Sequence, residues 1–211
     1  MYSKLSLLAL FVAVLVWSAI GPHDRFTWWL EVIPALVGVI VVLATRRRFP
    51  LTMLLLVLLT IHAVILMVGG HYTYALVPFG FWMEETFGFT RNHYDRIGHF
   101  AQGFVPAMVA REILIRKNVV RGAGWLFTIV VCICLAISAA YELAEWAAAA
   151  STGARAEAFL GTQGDVWDTQ KDMLLALIGA ISAQLVLGRW HGAQVERLEG
   201  PAGPGGRGLR G

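Results

Sequence analysis

Apolar runs of about twenty residues recur along the chain and are separated by short polar segments. A helix rises about 1.5 Å per residue, so a run of this length crosses a hydrocarbon core of about 30 Å. Strands of a soluble core do not keep apolar runs of this length. The pattern therefore predicts an all-α, polytopic membrane protein with a bundle of six transmembrane helices. The predicted spans lie near residues 5–21, 28–45, 50–69, 97–116, 124–148 and 170–189.

The segments between and after these spans set the predicted domain organisation. Residues 70–96 form the longest extracytoplasmic loop and contain an aromatic run from Phe79 to Phe89. This run predicts either an interfacial or re-entrant helix or an aromatic lid packed on the bundle. Residues 1–190 are predicted to form one membrane domain. Residues 191–211 end in a Gly/Pro-rich stretch and are predicted to be a disordered cytoplasmic tail.

Two pairs of small residues predict close helix packing. Gly103 and Ala107 lie in the fourth predicted span, and Gly179 and Ala183 lie in the sixth. Small residues four positions apart on a membrane helix let two backbones approach closely. These pairs therefore predict packing contacts and no binding site.

The overall composition agrees with a membrane protein. The chain is 57% hydrophobic and only 15% charged, with a mean hydropathy of +0.64. A soluble domain carries about 25% charged residues. The net charge of +3 is small, and we predict the lipid bilayer as the main partner and no nucleic acid.

The distribution of basic residues predicts the orientation in the membrane. Arg46, Arg47 and Arg48 lie together between the second and third predicted spans. Short cytoplasmic loops carry an excess of Lys and Arg. If this turn is cytoplasmic, twelve of the 17 Lys and Arg residues lie inside and five lie outside. The five outside are Arg25, Arg91, Arg96, Arg155 and Lys171. Both termini are therefore predicted to be cytoplasmic.

Four ionisable side chains lie at matching distances from the ends of predicted spans. Each is 17 residues from a residue that marks one end of its span. The four are Glu31, His99, Glu142 and Asp172, and their markers are Arg48, Arg116, Trp125 and Arg189. Seventeen residues of helix are about 25 Å long. The four side chains are therefore predicted to lie at one depth, just inside the outer leaflet, on four different helices.

Helical spacing extends this level into a polar pocket. Asp95 lies one turn from His99, and Asp168 lies one turn from Asp172. Carboxylates and histidines within a membrane are costly unless they are paired, hydrated or bound to a ligand. We therefore expect an outward-facing pocket lined by the fourth, fifth and sixth spans. The catalytic candidates are Asp95, His99, Glu142 and Asp168. The candidate metal ligands are His99, Glu142, Asp168 and Asp172.

This set of residues suggests three kinds of function. Carboxylates with an imidazole suit one divalent metal ion, which can activate water or polarise a phosphoryl oxygen. The candidate substrate-binding residues at the rim are Arg91, His93, Arg96 and Lys171. Metal-assisted handling of a phospholipid or polyprenyl phosphate in the cell envelope is the working hypothesis. Transport of a small solute or ion, and a non-catalytic structural or assembly network, are the alternatives. The sequence leaves open whether the protein is an enzyme.

Four sequence stretches closely resemble the YjdF-like family of bacterial inner-membrane proteins. They are His71–Tyr74, Arg91–Phe104, Tyr141–Trp146 and Gly161–Gln170. The resemblance extends over most of residues 5–190. It implies a helical bundle in the inner membrane and implies no particular reaction.

A weaker similarity connects the chain to VanZ-like proteins, which are associated with glycopeptide resistance. That pattern contains an Asp, a basic residue and then His-Phe, followed by a Glu and an Asp in later helices. The matching residues here are Asp95, Arg96, His99, Phe100, Glu142 and Asp168. The chain has Asp172 where that pattern usually has Asn, and this extra carboxylate favours cation binding.

Overall fold

A computed structural model describes residues 3–152 and 163–200 of the chain. Within these residues the protein is entirely helical, as predicted, and contains no strand. The helices are α1 (Lys4–Ala19), α2 (Arg25–Thr45), α3 (Met53–Tyr72), a 3₁₀ turn (Tyr74–Leu76), α4 (Pro78–Phe87), α5 (Tyr94–Arg116), α6 (Ala123–Thr152) and α7 (Asp168–Glu199).

Four of the long helices have the length and apolar composition needed to cross a membrane. These are α2, α3, α6 and α7. Helix α1 is also apolar but has only 16 residues. Helix α5 has 23 residues and carries ionisable side chains in its first two and last two turns. The fold is therefore a bundle of apolar helices together with α5, which has ionisable side chains near both of its ends.

Polar caps set where the first three helices begin. The side chains of Ser3, Asp24 and Thr52 accept hydrogen bonds from backbone N–H groups in the first turns of α1, α2 and α3. Such caps satisfy N–H groups that have no partner within the helix. Because Thr52 is the cap, α3 begins at Met53, and the predicted start at Pro50 was three residues too early.

The last helix is longer than the sequence predicted. Helix α7 continues to Glu199, so the prediction of a disordered tail was wrong for residues 191–199. The physical reason is burial, because His191, Gly192 and Val195 pack inside the bundle. A chain with buried side chains on one face continues its helix beyond the membrane-spanning length. Residues 201–211 of the predicted tail lie outside the described residues.

Helices α5 and α7 pack with their backbones in direct contact. A methyl group at Gly103 of α5 would collide with the carbonyl oxygen of Ala176. One at Gly179 of α7 would collide with the carbonyl oxygen of Phe100. The two glycines thus let the helices approach closely, as the small-residue pairs predicted. This contact aligns the first two turns of α5 with the first two turns of α7.

The segment between α3 and α5 carries exposed aromatic side chains. Helix α4 begins with Pro78 in its first turn and ends at the left-handed Gly88. Phe79, Trp82 and Phe87 expose 50%, 52% and 61% of their surface. An aromatic lid packed on the bundle would bury these side chains. Their exposure favours the interfacial helix of the two predicted arrangements.

The contact between α5 and α7 predicts a specific stability effect. Gly103→Ala should destabilise the protein by about 1–3 kcal/mol, because the two backbones must separate to admit the methyl group. Equilibrium unfolding in SDS–detergent mixed micelles measures this change. Gly124→Ala is the matched control, since a methyl group there meets no atom within 4 Å. Equal effects of the two substitutions would contradict the packing described.

Candidate functional site

The entry into α5 is held in place by Asn92. Its side-chain Nδ2 donates to the carbonyl of Val77 at 2.9 Å, and its Oδ1 accepts from the backbone N–H of Tyr94 at 3.0 Å. Its backbone N–H and carbonyl bond to the side-chain amide of Gln163 at 3.1 Å and 2.9 Å. Asn92 therefore connects the start of α4 and the segment before α7 to the first turn of α5.

Three residues from two helices converge just beyond this point. Asp95 and His99 lie one turn apart on α5, and Asp172 lies on α7. His99 Nε2 is 3.4 Å from Asp95 Oδ1 and 4.0 Å from Asp172 Oδ2. One ligand atom from each residue lies within 4.8 Å of the other two, and all three residues are buried.

Helix α6 supplies a fourth member of the group. Glu142 is buried, and its Oε1 lies 3.6 Å from His99 Nδ1. We refer to Asp95, His99, Glu142 and Asp172 as the acidic cluster. It contains three carboxylates and one imidazole, so acidic groups outnumber the basic one.

The orientation of the His99 ring directs one nitrogen at two carboxylates. His99 Nδ1 lies 3.2 Å from the amide oxygen of Gln102, which accepts a hydrogen bond from it. With its proton on Nδ1, a neutral imidazole has a lone pair on Nε2. That lone pair then faces Asp95 and Asp172. Such an arrangement is stable only if a proton or a metal ion lies between Nε2 and the carboxylates.

Several carboxylate oxygens of the acidic cluster have no hydrogen-bond donor among the described residues. These atoms are Asp95 Oδ2, Glu142 Oε1 and Asp172 Oδ1. Buried polar atoms in folded proteins are nearly always paired with a donor, a water molecule or an ion. These oxygens of the acidic cluster can therefore bind a cation or protons.

A layer of ion pairs covers the acidic cluster on the side of the α6–α7 connection. Asp168 Oδ1 accepts from Arg91 Nη1 and Arg96 Nη2, both at 2.7 Å. Asp165 Oδ2 accepts from Arg96 at 3.0 Å and from Lys171 at 2.6 Å. We refer to these five residues as the ion-pair layer. Arg96 also connects this layer to the acidic cluster, with Nη1 3.6 Å from Asp172 Oδ1.

The ion-pair layer differs from the acidic cluster in its electrostatics. The hydrogen bond from Lys171 and the backbone N–H of Trp167 hold the pKa of Asp165 at about 2. Asp165 is therefore ionised at neutral pH, and three cations face two carboxylates in this layer. A layer with excess positive charge thus lies directly above a cluster with excess carboxylates.

The site residues predicted from sequence separate into these two groups. Asp95, His99, Glu142 and Asp172 lie together in the acidic cluster. Asp168, a candidate for both catalysis and metal binding, is held by two arginines instead. Asp95 was predicted only as a catalytic residue. Its Oδ1 lies 3.4 Å from His99 Nε2, so Asp95 is also placed as a possible metal ligand.

The four residues predicted to bind substrate have different surroundings. Arg91 and Arg96 are engaged with aspartates in the ion-pair layer. Lys171 bonds to Asp165 while its side chain remains 49% exposed. His93 stacks its ring on Phe89, with ring centroids 4.4 Å apart.

Glu31 of α2 extends the polar region toward the first half of the chain. It is buried, and its Oε2 accepts a hydrogen bond from the Tyr141 hydroxyl at 3.3 Å. Tyr141 precedes Glu142 on α6, and its ring contacts that of His99. The four side chains predicted to lie at one depth are thus connected through short contacts.

Sequence reasoning missed a second polar cluster at the opposite end of the bundle. Glu112 of α5 and His191 of α7 are both 0% exposed and lie 3.0 Å apart. Glu112 also accepts hydrogen bonds from the backbone and hydroxyl of Thr52 and from Arg116. The available signal was a lone glutamate one turn before Arg116, a pattern also typical of an exposed helix face.

Comparison with known proteins supports the membrane assignment. The family model described as "Predicted membrane protein (DUF2238)" matches residues 3–193. The chain is similar to the inner membrane protein YjdF of Escherichia coli (strain K12). The two are 54% identical over 185 residues, which cover 88% of each chain. No solved structure matches. The predicted YjdF-like resemblance is confirmed, and the similarity to VanZ-like proteins stays a prediction.

The ion-pair layer predicts an energetic coupling between α5 and α7. Arg96→Gln should destabilise the protein by about 1–3 kcal/mol, because Asp168 then keeps only one of its two arginine partners. Unfolding in SDS–detergent mixed micelles measures this loss, with the exposed Arg47→Gln as a control of equal charge change. The double variant Arg96→Gln/Asp168→Asn should lose less than the two single losses combined. Fully additive losses would contradict the coupling.

Proposed function

We propose a metal-dependent role in the cell envelope for this chain, which belongs to the DUF2238 family of predicted membrane proteins. In this proposal the acidic cluster binds one divalent metal ion. The metal and the ion-pair layer then bind the phosphate group of a phospholipid or polyprenyl phosphate at the outer face of the inner membrane. The observation that carries the proposal is the convergence of Asp95, His99 and Asp172 within 4.8 Å.

The proposed topology has six spans with both termini in the cytoplasm. Helices α2, α3, α6 and α7 have the length and composition of membrane spans, and we add α1 and α5 to them. The basic turn Arg46–Arg48 follows α2, whereas the acidic cluster lies at the opposite end of the bundle. The positive-inside rule then assigns the acidic cluster to the outer side. The relative in Escherichia coli is an inner membrane protein, which supports the same location.

The distances within the acidic cluster are compatible with metal ligation. Two ligand atoms that are each about 2.1 Å from one ion lie about 3–3.5 Å from each other. The separations from His99 Nε2 to Asp95 and Asp172 are 3.4 Å and 4.0 Å. Small side-chain rotations therefore suffice to bring all three atoms onto one ion. Oxygen ligands with one imidazole suit Mn²⁺, Zn²⁺ or a related divalent ion.

Gln102 supports the role of His99 as a ligand. A histidine that binds a metal through one ring nitrogen usually donates a hydrogen bond from the other, and this bond fixes the ring. His99 Nδ1 lies 3.2 Å from Gln102 Oε1, while Nε2 faces the two aspartates. Glu142 is close enough to serve as a further ligand or as a base for a bound water molecule.

The ion-pair layer is suited to receive a phosphate. Arg91, Arg96 and Lys171 all have donors in one small volume next to the acidic cluster. A phosphate dianion can replace an aspartate as the partner of these cations, because arginine can bind either a phosphate or a carboxylate through two parallel N–H donors. A bound metal would polarise a phosphoryl oxygen or activate water there. Asp168, which both arginines hold within the ion-pair layer, is the residue that phosphate binding would displace.

The packing of α5 against α7 weighs against transport as the main alternative. An alternating-access route would have to pass from the acidic cluster to the other side of the bundle. On the α5–α7 side that route meets the backbone contacts at Gly103 and Gly179, which leave no space for a methyl group. A structural role alone would leave water molecules or protons as the partners of the oxygens that have no donor among the described residues, whereas a cation would satisfy several of them at once.

The proposed function predicts metal-dependent binding of a lipid phosphate. Protein in nanodiscs should bind a prenyl monophosphate in the presence of Mn²⁺ or Zn²⁺ and should bind it at least about 10-fold more weakly with EDTA. His99→Ala and Asp172→Asn should weaken binding by about 10–100-fold, because each removes a ligand. Calorimetry or fluorescence titration measures the affinity.

His23→Ala is the matched control, since His23 is an exposed histidine outside the acidic cluster. It should leave the affinity unchanged. Inorganic phosphate provides a second arm, and equal affinity for phosphate and prenyl phosphate would show that the lipid part is not recognised. Binding that is unaffected by EDTA and by both cluster variants would refute the proposal.

A further inference from the structure

An apolar cleft lies between α1, α2 and α3, and its basic end is at the end of the bundle opposite to the acidic cluster. It has a volume of about 290 Å³ and is lined mostly by aliphatic side chains. Ligand pockets in proteins have volumes of about 300–1,000 Å³. The cleft is thus large enough for a slender ligand, and its walls exclude a polar one.

Part of the cleft lies where α2 has no long side chain. Pro34 and Gly38 lie one turn apart on α2, and both line the cleft. A methyl group added at Gly38 would meet no atom within 4 Å. The buried Phe11 and Ala63 also line the cleft. Position 38 therefore has room for a Cβ, and a longer side chain there would occupy part of the cleft.

The mouth of the cleft carries two cations. Lys4, at the start of α1, and Arg46, just after α2, both line the cleft and are exposed. Arg47 and Arg48 follow directly but do not line it. Apolar walls with a basic mouth match a molecule that has a long hydrocarbon chain and an anionic head.

The cleft has a basic end and an apolar end. Its lining on α3 extends from Leu56 to Leu66, which is a length of about 15 Å. Lys4 and Arg46 lie at one end of this length, and the rest of the lining there is mostly aliphatic. An apolar wall with cations at one end only suits a single hydrocarbon chain that carries an anionic head. A transmembrane helix of a second copy would instead bring further basic residues to the same end.

We infer that this cleft binds one acyl chain of an anionic phospholipid, with the lipid phosphate held by Lys4 and Arg46. His62 also lines the cleft from α3 and makes no hydrogen bond or ion pair with the described residues. It offers one polar group beside the bound chain, about 14 Å along α3 from the start of that helix. The inference does not rest on the metal or on the acidic cluster, because no residue of that cluster lines the cleft.

Lipid retention in native mass spectrometry tests this site on the full-length protein. Protein equilibrated in mixed micelles with phosphatidylglycerol should retain one lipid, and it should retain phosphatidylcholine at least about 10-fold less. Gly38→Leu should lower retention of both lipids, because the leucine side chain fills the cleft. Lys4→Gln/Arg46→Gln should lower phosphatidylglycerol retention to the level of phosphatidylcholine.

The double variant Arg47→Gln/Arg48→Gln is the matched control, since it removes the same charge outside the cleft. It should retain phosphatidylglycerol as the wild-type protein does. Circular dichroism and size-exclusion chromatography check folding, and the charge variants keep the test valid if Gly38→Leu does not fold. Equal retention of both lipids by the wild-type protein would overturn the inference. Conversion of a wild-type dimer to a monomer by Gly38→Leu would also overturn it, because the cleft would then be a helix interface.

Discussion

The burial of the ionisable side chains of α5 inside the bundle is the constraint on which the rest of the structure depends. This helix carries such groups at both ends, and its central part packs against α3, α6 and α7. Gly103 and Gly179 let α5 and α7 approach until their backbones touch. The close approach brings Asp172 to His99 at one end and His191 to Glu112 at the other. One packing contact thus creates both of these polar clusters.

The two clusters differ in how fully their carboxylates are satisfied. Glu112 accepts hydrogen bonds from Thr52, Arg116 and His191 and has two donors on each oxygen. Such a group ties helices together and needs no further ligand. The carboxylates of the acidic cluster instead keep oxygens without donors among the described residues. In the Glu112 cluster the atom without a partner there is His191 Nδ1, an imidazole nitrogen and not a carboxylate oxygen. This contrast between the two sets of carboxylates favours the acidic cluster as the candidate binding site.

Much of the fold and part of the site followed from the sequence. The apolar runs located the long helices α1, α2, α3, α5, α6 and α7, because a long apolar run satisfies its own backbone polar groups by forming a helix. Counting residues from the span ends anticipated that His99, Glu142 and Asp172 would be neighbours, and short contacts connect them. The length of α7 was underestimated, because burial of His191 and Val195 depends on helix packing. The sequence also left the partner of Asp168 undecided between a metal and a cation such as Arg96, since either can satisfy a carboxylate.

Metal content tests the central claim most directly. Full-length protein purified without chelators and measured by elemental analysis should contain about one equivalent of a divalent metal per chain. An EDTA wash should remove this metal, and the folded His99→Ala variant should lack it. A folded wild-type protein that holds no stoichiometric divalent metal, even after incubation with Mn²⁺, Zn²⁺ and Mg²⁺, would contradict the account.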